Sequence, residues 1–82
     1  MESLQAIRQY SEALFIEKSS KIYYKRYKAH LSLQDFENAL ADLDSALELD
    51  PSYTAALLQR GNLRMLTGRC AQAAEDYQTV LQ

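Results

Sequence analysis

A shift of 34 residues lays this chain on itself, and that period limits the possible folds more than any other feature of the sequence. The shift pairs Tyr24 with Leu58, Arg26 with Arg60, Leu31 with Met65 and Ala39 with Ala73. It also pairs Asp42 with Asp76, Leu43 with Tyr77, Ala46 with Val80 and Leu47 with Leu81. Large apolar positions meet large ones, and small meet small. A unit of this length cannot close its own hydrophobic face, so neighbouring units must stack to bury it.

The spacing inside the period is helical. Phe36, Ala39, Leu40, Leu43, Ala46 and Leu47 recur at i, i+3, i+4 and i+7 and form one apolar stripe. Asp35 stands just before the stripe, where an N-cap is expected. Asp50-Pro51 ends it, because proline cannot continue the hydrogen-bond ladder and restricts the residue before it. Gly68 lies between two periodic segments, where a left-handed residue ends a helix. The pattern predicts helices at about 2–17, 20–33, 36–49, 53–67 and 70–81. Two glycines and one proline in 82 residues suit helices joined by short turns and are too few for a β-rich fold.

The net charge of −2 gives no overall attraction to nucleic acid or to an acidic membrane. The charges are nevertheless segregated. Residues 18–30 hold Lys18, Lys21, Lys25, Arg26 and Lys28 with no acid, whereas residues 35–50 hold Asp35, Glu37, Asp42, Asp44, Glu48 and Asp50 with no Lys or Arg. Such a pair of segments makes either two faces with different partners or complementary neighbours. Cys70 is the single cysteine, so no internal disulfide forms. No apolar run nears the length needed to span a bilayer, and the amphipathic stretch Met1–Ile16, with Glu2, Arg8 and Glu12, lacks the layout of a signal peptide. On this chain alone a cytoplasmic location is expected, and no membrane insertion.

These residues resemble the tetratricopeptide-repeat (TPR) family, whose first helix carries a large residue, Leu-Gly and an aromatic, and whose second carries Ala, an aromatic and a closing Pro. The clearest copy begins at Thr54, with Leu57, Gly61, Ala73 and Tyr77 in place. Arg60 and Arg64 stand where Leu and Tyr are usual, which weakens two packing positions. The preceding copy has Tyr23, Ala39, Leu43, Ala46 and Pro51. It departs at Tyr27, in place of the small residue at the helix crossing, and at Gln34, in place of the turn glycine. Ala6, Tyr10 and Ala13 resemble the second helix of a further copy. The resemblance implies an all-α, right-handed solenoid of antiparallel helix pairs. Residues 1–19 would be the second helix of an incomplete repeat, 20–53 a complete repeat and 54–82 a repeat truncated at its end. The run from Tyr53 to Leu63, with Ala41-Asp42-Leu43 upstream, also resembles the first repeats of lumenal J-domain co-chaperones, which implies an endoplasmic reticulum location and unfolded client chains as partners. The His-Pro-Asp tripeptide of a J domain does not occur in the chain.

In the family, first helices line a concave groove. Helical spacing then puts Lys21, Tyr24, Lys28 and Leu31 on one face, and Ala55, Leu58, Asn62 and Met65 on the matching face of the next copy. Tyr23, Tyr27, His30, Leu57 and Gly61 should pack against the second helices. The groove is apolar and flanked by Lys21 and Lys28, which suits a polypeptide displaying hydrophobic side chains, either an unfolded client or one specific protein partner. Some family members instead clamp the carboxylate end of a heat-shock chaperone. Asn62 fits one position of that clamp, but Leu58 replaces a lysine and Lys28 an asparagine. The run Lys21–Lys28 mixes cations and tyrosines as single-strand binders do, but the acidic balance argues against nucleic acid.

His30 and Cys70, alone of their kinds, supply no metal-ligand set, no base stands at motif spacing from Cys70, and no Gly-rich phosphate loop occurs. No enzymatic activity, metal or cofactor is expected. Tyr77, Val80 and Leu81 with the outward sides of Leu63 and Leu66 should leave an exposed apolar patch at the end of the stack, a site for self-association.

Overall fold

A computed structural model describes residues 2–81. They form helices α1 (Glu2–Ile16), α2 (Ser20–Ser32), α3 (Phe36–Leu49), α4 (Thr54–Leu66) and α5 (Cys70–Leu81), with no strand among the described residues. Each helix packs on the next in chain order. Contacts therefore stay local, and the array is a slab of 33 × 24 × 13 Å.

The turns repeat with the period. Gln34 and Gly68, which are 34 residues apart, both have positive φ, at 59° and 82°. After α2, Gln34 N–H donates to Leu31 O at 2.9 Å and Asp35 N–H to His30 O at 3.0 Å. After α4, Gly68 N–H donates to Met65 O at 3.1 Å and Arg69 N–H to Arg64 O at 2.6 Å. This is the Schellman closure, which satisfies the last carbonyls of a helix and needs a left-handed residue. Gln34 adopts that conformation at a cost of about 1 kcal/mol relative to glycine. Asp35 then caps α3. Its carboxylate accepts from Asn38 Nδ2 at 2.6 Å and from the Asn38 backbone N–H at 3.4 Å. The side-chain bond, followed by the backbone bond, holds its pKa below the usual carboxylate value.

The core runs between the helices as one cluster of Tyr27, Ala39, Leu40, Leu43, Ala46, Leu47, Ala56, Leu57 and Leu63. Each leucine fully withdrawn from water contributes roughly 2 kcal/mol. Leu63 is only 4% exposed, so it belongs to this core and not to the patch expected at the end of the stack. Of that patch Leu66 and Leu81 are exposed, at 65% and 86%, while Tyr77 and Val80 are half-buried. Among the described residues the most exposed large apolar side chain is Phe15 at the end of α1, at 94%.

The two helix crossings are filled from opposite sides. In the α4–α5 pair, Gly61 is buried, and a Cβ there would lie 2.7 Å from Tyr77 Cε1. The ring of Tyr77 thus occupies the space that glycine leaves. In the α2–α3 pair the large residue is on the first helix, where Tyr27 is 3% exposed, and the second helix supplies the smaller Leu43, which is fully buried. Tyr27 thus stands where the other pair has glycine, and Leu43 where that pair has tyrosine, and both are buried in the core cluster.

The arginines correct the sequence reading. Arg60 and Arg64 do not weaken their positions, because both close on the buried Asp76. Arg60 Nη2 lies 2.7 Å from Asp76 Oδ1, and Arg64 Nη1 lies 2.8 Å from Asp76 Oδ2. One period earlier, Arg26 Nη2 lies 2.6 Å from Oδ1 of the buried Asp42, and His30 Nε2 takes the place of Arg64, 3.4 Å from Asp42 Oδ2. Each guanidinium also reaches back to the preceding second helix: Arg26 Nη1 donates to Ser11 Oγ at 3.0 Å, and Arg60 Nη1 to Asp44 Oδ1 at 2.9 Å. Hydrogen bonding to Asp42 and to Asp76, respectively, raises the pKa of Arg26 and Arg60 above the ordinary value, against the opposing pull of burial.

Two substitutions test these contacts. Asp76→Ala leaves two guanidinium groups without their buried partner and should cost roughly 3 kcal/mol in chemical denaturation, since a broken buried pair leaves charge uncompensated. A loss below about 0.5 kcal/mol would mean that the pair is solvated and structurally idle. Gly61→Ala pushes a methyl group into the Tyr77 ring and should cost about 1–3 kcal/mol by overpacking. A more stable variant would show that the ring moves aside freely.

Candidate functional site

The face shared by α2 and α4 is built over the core cluster. Tyr24 and Leu31 are half-buried against that cluster. Tyr24 stacks on Tyr53, the residue before α4, with ring centroids 5.2 Å apart and planes 29° apart, and it tilts against Tyr27 at the same distance. Lys28 Nζ lies 5.0 Å from the Tyr24 ring centroid, within cation–π range. Lys21 is exposed and keeps its charge in water. Burial raises the hydroxyl pKa of Tyr24, with a smaller contribution from neighbouring Tyr53. Burial likewise raises that of Tyr27, with Tyr24 as the lesser cause. Both rings are therefore neutral at physiological pH.

On α4, Ala55, Leu58, Asn62 and Met65 are all exposed, with Leu58 at 41% and Met65 at 51%. Large apolar side chains left half in water beside an aromatic stack form a surface that gains free energy when covered. The face is shallow. Open surface clefts lie around it, among them one of about 310 Å3 between α1 and α2, lined by Ala6, Tyr10, Lys25, Lys28 and Ala29 among others, and one of about 460 Å3 bordered by Leu47, Pro51, Leu57 and Arg60. Only Lys28 of the eight groove residues borders either cleft. An extended polypeptide needs an open strip more than an enclosed cavity, so the exposed row remains the candidate site.

Two features of this face escape the sequence reading. One is Tyr53, the residue before α4, which joins through its stack on Tyr24. The other is a chain of hydrogen bonds. Tyr27 Oη donates to Gln59 Oε1 at 3.3 Å, Asn62 Nδ2 donates to the same oxygen at 3.4 Å, and Tyr77 Oη donates to Asn62 Oδ1 at 2.6 Å. Spacing alone could have put Gln59 beside Asn62, at i and i+3. That Tyr77 reaches them depends on its ring crossing over Gly61. The tyrosines of the Lys21–Lys28 run turn inward: Tyr27 is buried, and Tyr23 and Tyr24 pack on the core, so their ring faces are not free for bases. The described residues hold no group of three or more His, Cys, Asp or Glu placed to bind a metal ion, and Cys70 is exposed.

No protein-family model matches the chain. Curated proteins similar to it include the small glutamine-rich tetratricopeptide repeat-containing protein 2 of Saccharomyces cerevisiae, 36% identical over 77 residues. That alignment covers 93% of this chain and 22% of the relative. DnaJ homolog subfamily C member 3 of Rattus norvegicus is 42% identical over 60 residues, covering 73% of this chain and 12% of that protein. Serine/threonine-protein phosphatase 5 of Homo sapiens is 36% identical over 78 residues, covering 94% of this chain and 16% of the phosphatase. The chain thus spans less than a quarter of these relatives. Among solved structures, the second TPR of Spaghetti (RPAP3), bound to the HSP90 peptide SRMEEVD, superposes with a TM-score of 0.89 at 31% identity, over 96% of this chain and 74% of that one. MamA superposes with a TM-score of 0.90 at 21% identity, over 96% of this chain and 47% of its own, which shows the shared fold. With its 34-residue period, its stacked helix pairs and 31% identity over 74% of a solved TPR domain, the chain belongs to the tetratricopeptide-repeat family.

Proposed function

We propose that this chain is a polypeptide-binding TPR module, a co-chaperone segment that holds unfolded client chains along the face formed by Lys21, Tyr24, Lys28, Leu31, Ala55, Leu58, Asn62 and Met65. One observation carries the reading: Leu58 and Met65 stand 41% and 51% exposed in a row beside the Tyr24–Tyr53 stack. Covering that row removes apolar area from water, and a thioether adapts to varied side chains, so the surface suits clients that differ in sequence. The similarity to a DnaJ homolog supports a co-chaperone setting, with the lumen of the endoplasmic reticulum as the compartment if the parent protein is of that kind.

A second reading is recruitment of one specific partner through an acidic, C-terminal peptide. It is favoured by the solved neighbour, whose TPR holds SRMEEVD, together with Asn62, which fits one position of the carboxylate clamp where Leu58 and Lys28 do not. The two readings differ in what binds. Client holding gives broad affinity for denatured chains that survives added salt. Recruitment gives one preferred peptide whose affinity depends on its free carboxylate.

Leu58→Glu separates the face from the rest of the fold. It should weaken binding of a denatured, carboxymethylated client by about tenfold, the equivalent of ~1.4 kcal/mol, with unchanged helicity in circular dichroism. Unaltered client binding by a folded variant would sink the assignment of the face. Changing Lys21, Lys25 and Lys28 together to Ala should leave client binding largely intact. If instead the wild type binds single-stranded oligonucleotide at physiological salt and the triple variant does not, a nucleic-acid role replaces this one. Leu66 and Leu81 at one end and Phe15 at the other are also expected to make the isolated chain self-associate. Sedimentation over a broad concentration range checks this, and a monomer throughout would remove it.

A further inference from the structure

The two crossing tyrosines come from different places, Tyr27 from a first helix and Tyr77 from a second, yet both hydroxyls end on the same pair of amides on α4. The directions of these bonds decide what the amides can still do. Tyr77 is a donor to Asn62 Oδ1, at 2.6 Å, and Tyr27 is a donor to Gln59 Oε1, at 3.3 Å. Gln59 Oε1 also accepts the long bond from Asn62 Nδ2, at 3.4 Å. Both amide oxygens are therefore engaged. Each side-chain amide carries two N–H donors, and among the described residues only one of these four is used. Asn62 is exposed and Gln59 half-buried, so the spare donors lie at the surface of the candidate face. Without a tyrosine hydroxyl on its oxygen, an exposed asparagine amide is free to turn over and offer an acceptor in place of a donor.

We infer that Tyr77 is a positioning residue for polypeptide recognition: through its hydrogen bond it fixes the Asn62 amide with the NH2 group outward, so that the face selects carbonyl or carboxylate oxygens of the bound chain. Tyr27 does the same for Gln59. Gly61 is part of the device, since only a residue without Cβ lets the Tyr77 ring cross α4 and bring its hydroxyl to Asn62. This inference rests on the polypeptide-binding reading above and adds the polar specificity that an apolar row lacks. The acceptor could be a main-chain carbonyl along a client or the carboxylate at a chain end. Both present an oxygen to the same N–H groups.

The test uses Tyr77→Phe, which keeps the ring over Gly61 and removes the hydroxyl, and Asn62→Asp, which keeps an acceptor for Tyr77 and removes the spare N–H donor. Binding is measured by calorimetry with the denatured client and with SRMEEVD as free acid and as C-terminal amide. Wild type should bind at least one probe, and each variant should bind it about fivefold more weakly, the effect of one neutral hydrogen bond, with melting and helicity close to wild type. A loss that persists on the amidated peptide or the client assigns the contact to main-chain carbonyls, and a loss confined to the free acid assigns it to the terminal carboxylate. If wild type binds none of the probes, the polypeptide-binding reading itself falls. If wild type binds and the folded Tyr77→Phe binds equally well, the positioning role is wrong while that reading stands. Should Tyr77→Phe fail to fold, Asn62→Asp decides, and equal binding by it overturns the inference.

Discussion

Two buried carboxylates organise this molecule. Asp42 and Asp76, each 3% exposed, would be untenable in the core without a cation. Each is met by an arginine of its own helix pair, and the same guanidinium extends to the second helix of the pair before it. One side chain therefore fixes two things, the crossing inside a pair and the stacking between pairs. A buried ion pair adds little net stability, because desolvation offsets the attraction. Its value here lies in register. Sliding α3 or α5 by one turn would leave a carboxylate buried with no partner, and apolar stripes of similar leucines and alanines would not oppose such a slip nearly as strongly.

Packing at the crossings has a consequence for the face. In the α2–α3 pair the buried tyrosine, Tyr27, comes from the first helix, and in the α4–α5 pair Tyr77 comes from the second and crosses Gly61. The arrangement also shapes the surface. It delivers two hydroxyls to α4, where the amides of Gln59 and Asn62 stand three residues apart. The polar character of the candidate site is thus set by core packing, and the exposed residues alone do not account for it.

The helices and their ends were legible because local chemistry dictates them. Asp35 as cap, Pro51 as stop and the left-handed position at Gly68 all act within a few residues of chain. The arginines were misjudged for a different reason. A family pattern treats their positions as apolar, so a charge there reads as loss of packing. The pairing of Arg26 with Arg60 and of Asp42 with Asp76 in the self-comparison already held the correct answer, since cation and acid recur together at one period. Leu63 was assigned outward, although in the structure it faces the core cluster. The reach of the Tyr77 hydroxyl was not readable at all, because it requires knowing that the ring passes over Gly61.

The opposed charges of α2 and α3 resolve on the same grounds. The acids of residues 35–50 are largely used inside the molecule. Asp35 caps α3, Asp42 and Asp44 receive Arg26 and Arg60, Asp50 accepts from Ser52, and Glu37 lies 3.9 Å from Arg69. The lysines are not used in this way: among the described residues none of Lys18, Lys21, Lys25 and Lys28 enters an ion pair, and all four are exposed. A net charge of −2 therefore misstates the potential along α2, which is positive where Lys21 and Lys28 border the apolar row. Screening acts within about 8 Å at physiological salt, so distant acids do little to cancel it. The candidate face is therefore apolar at its centre and cationic at its α2 edge.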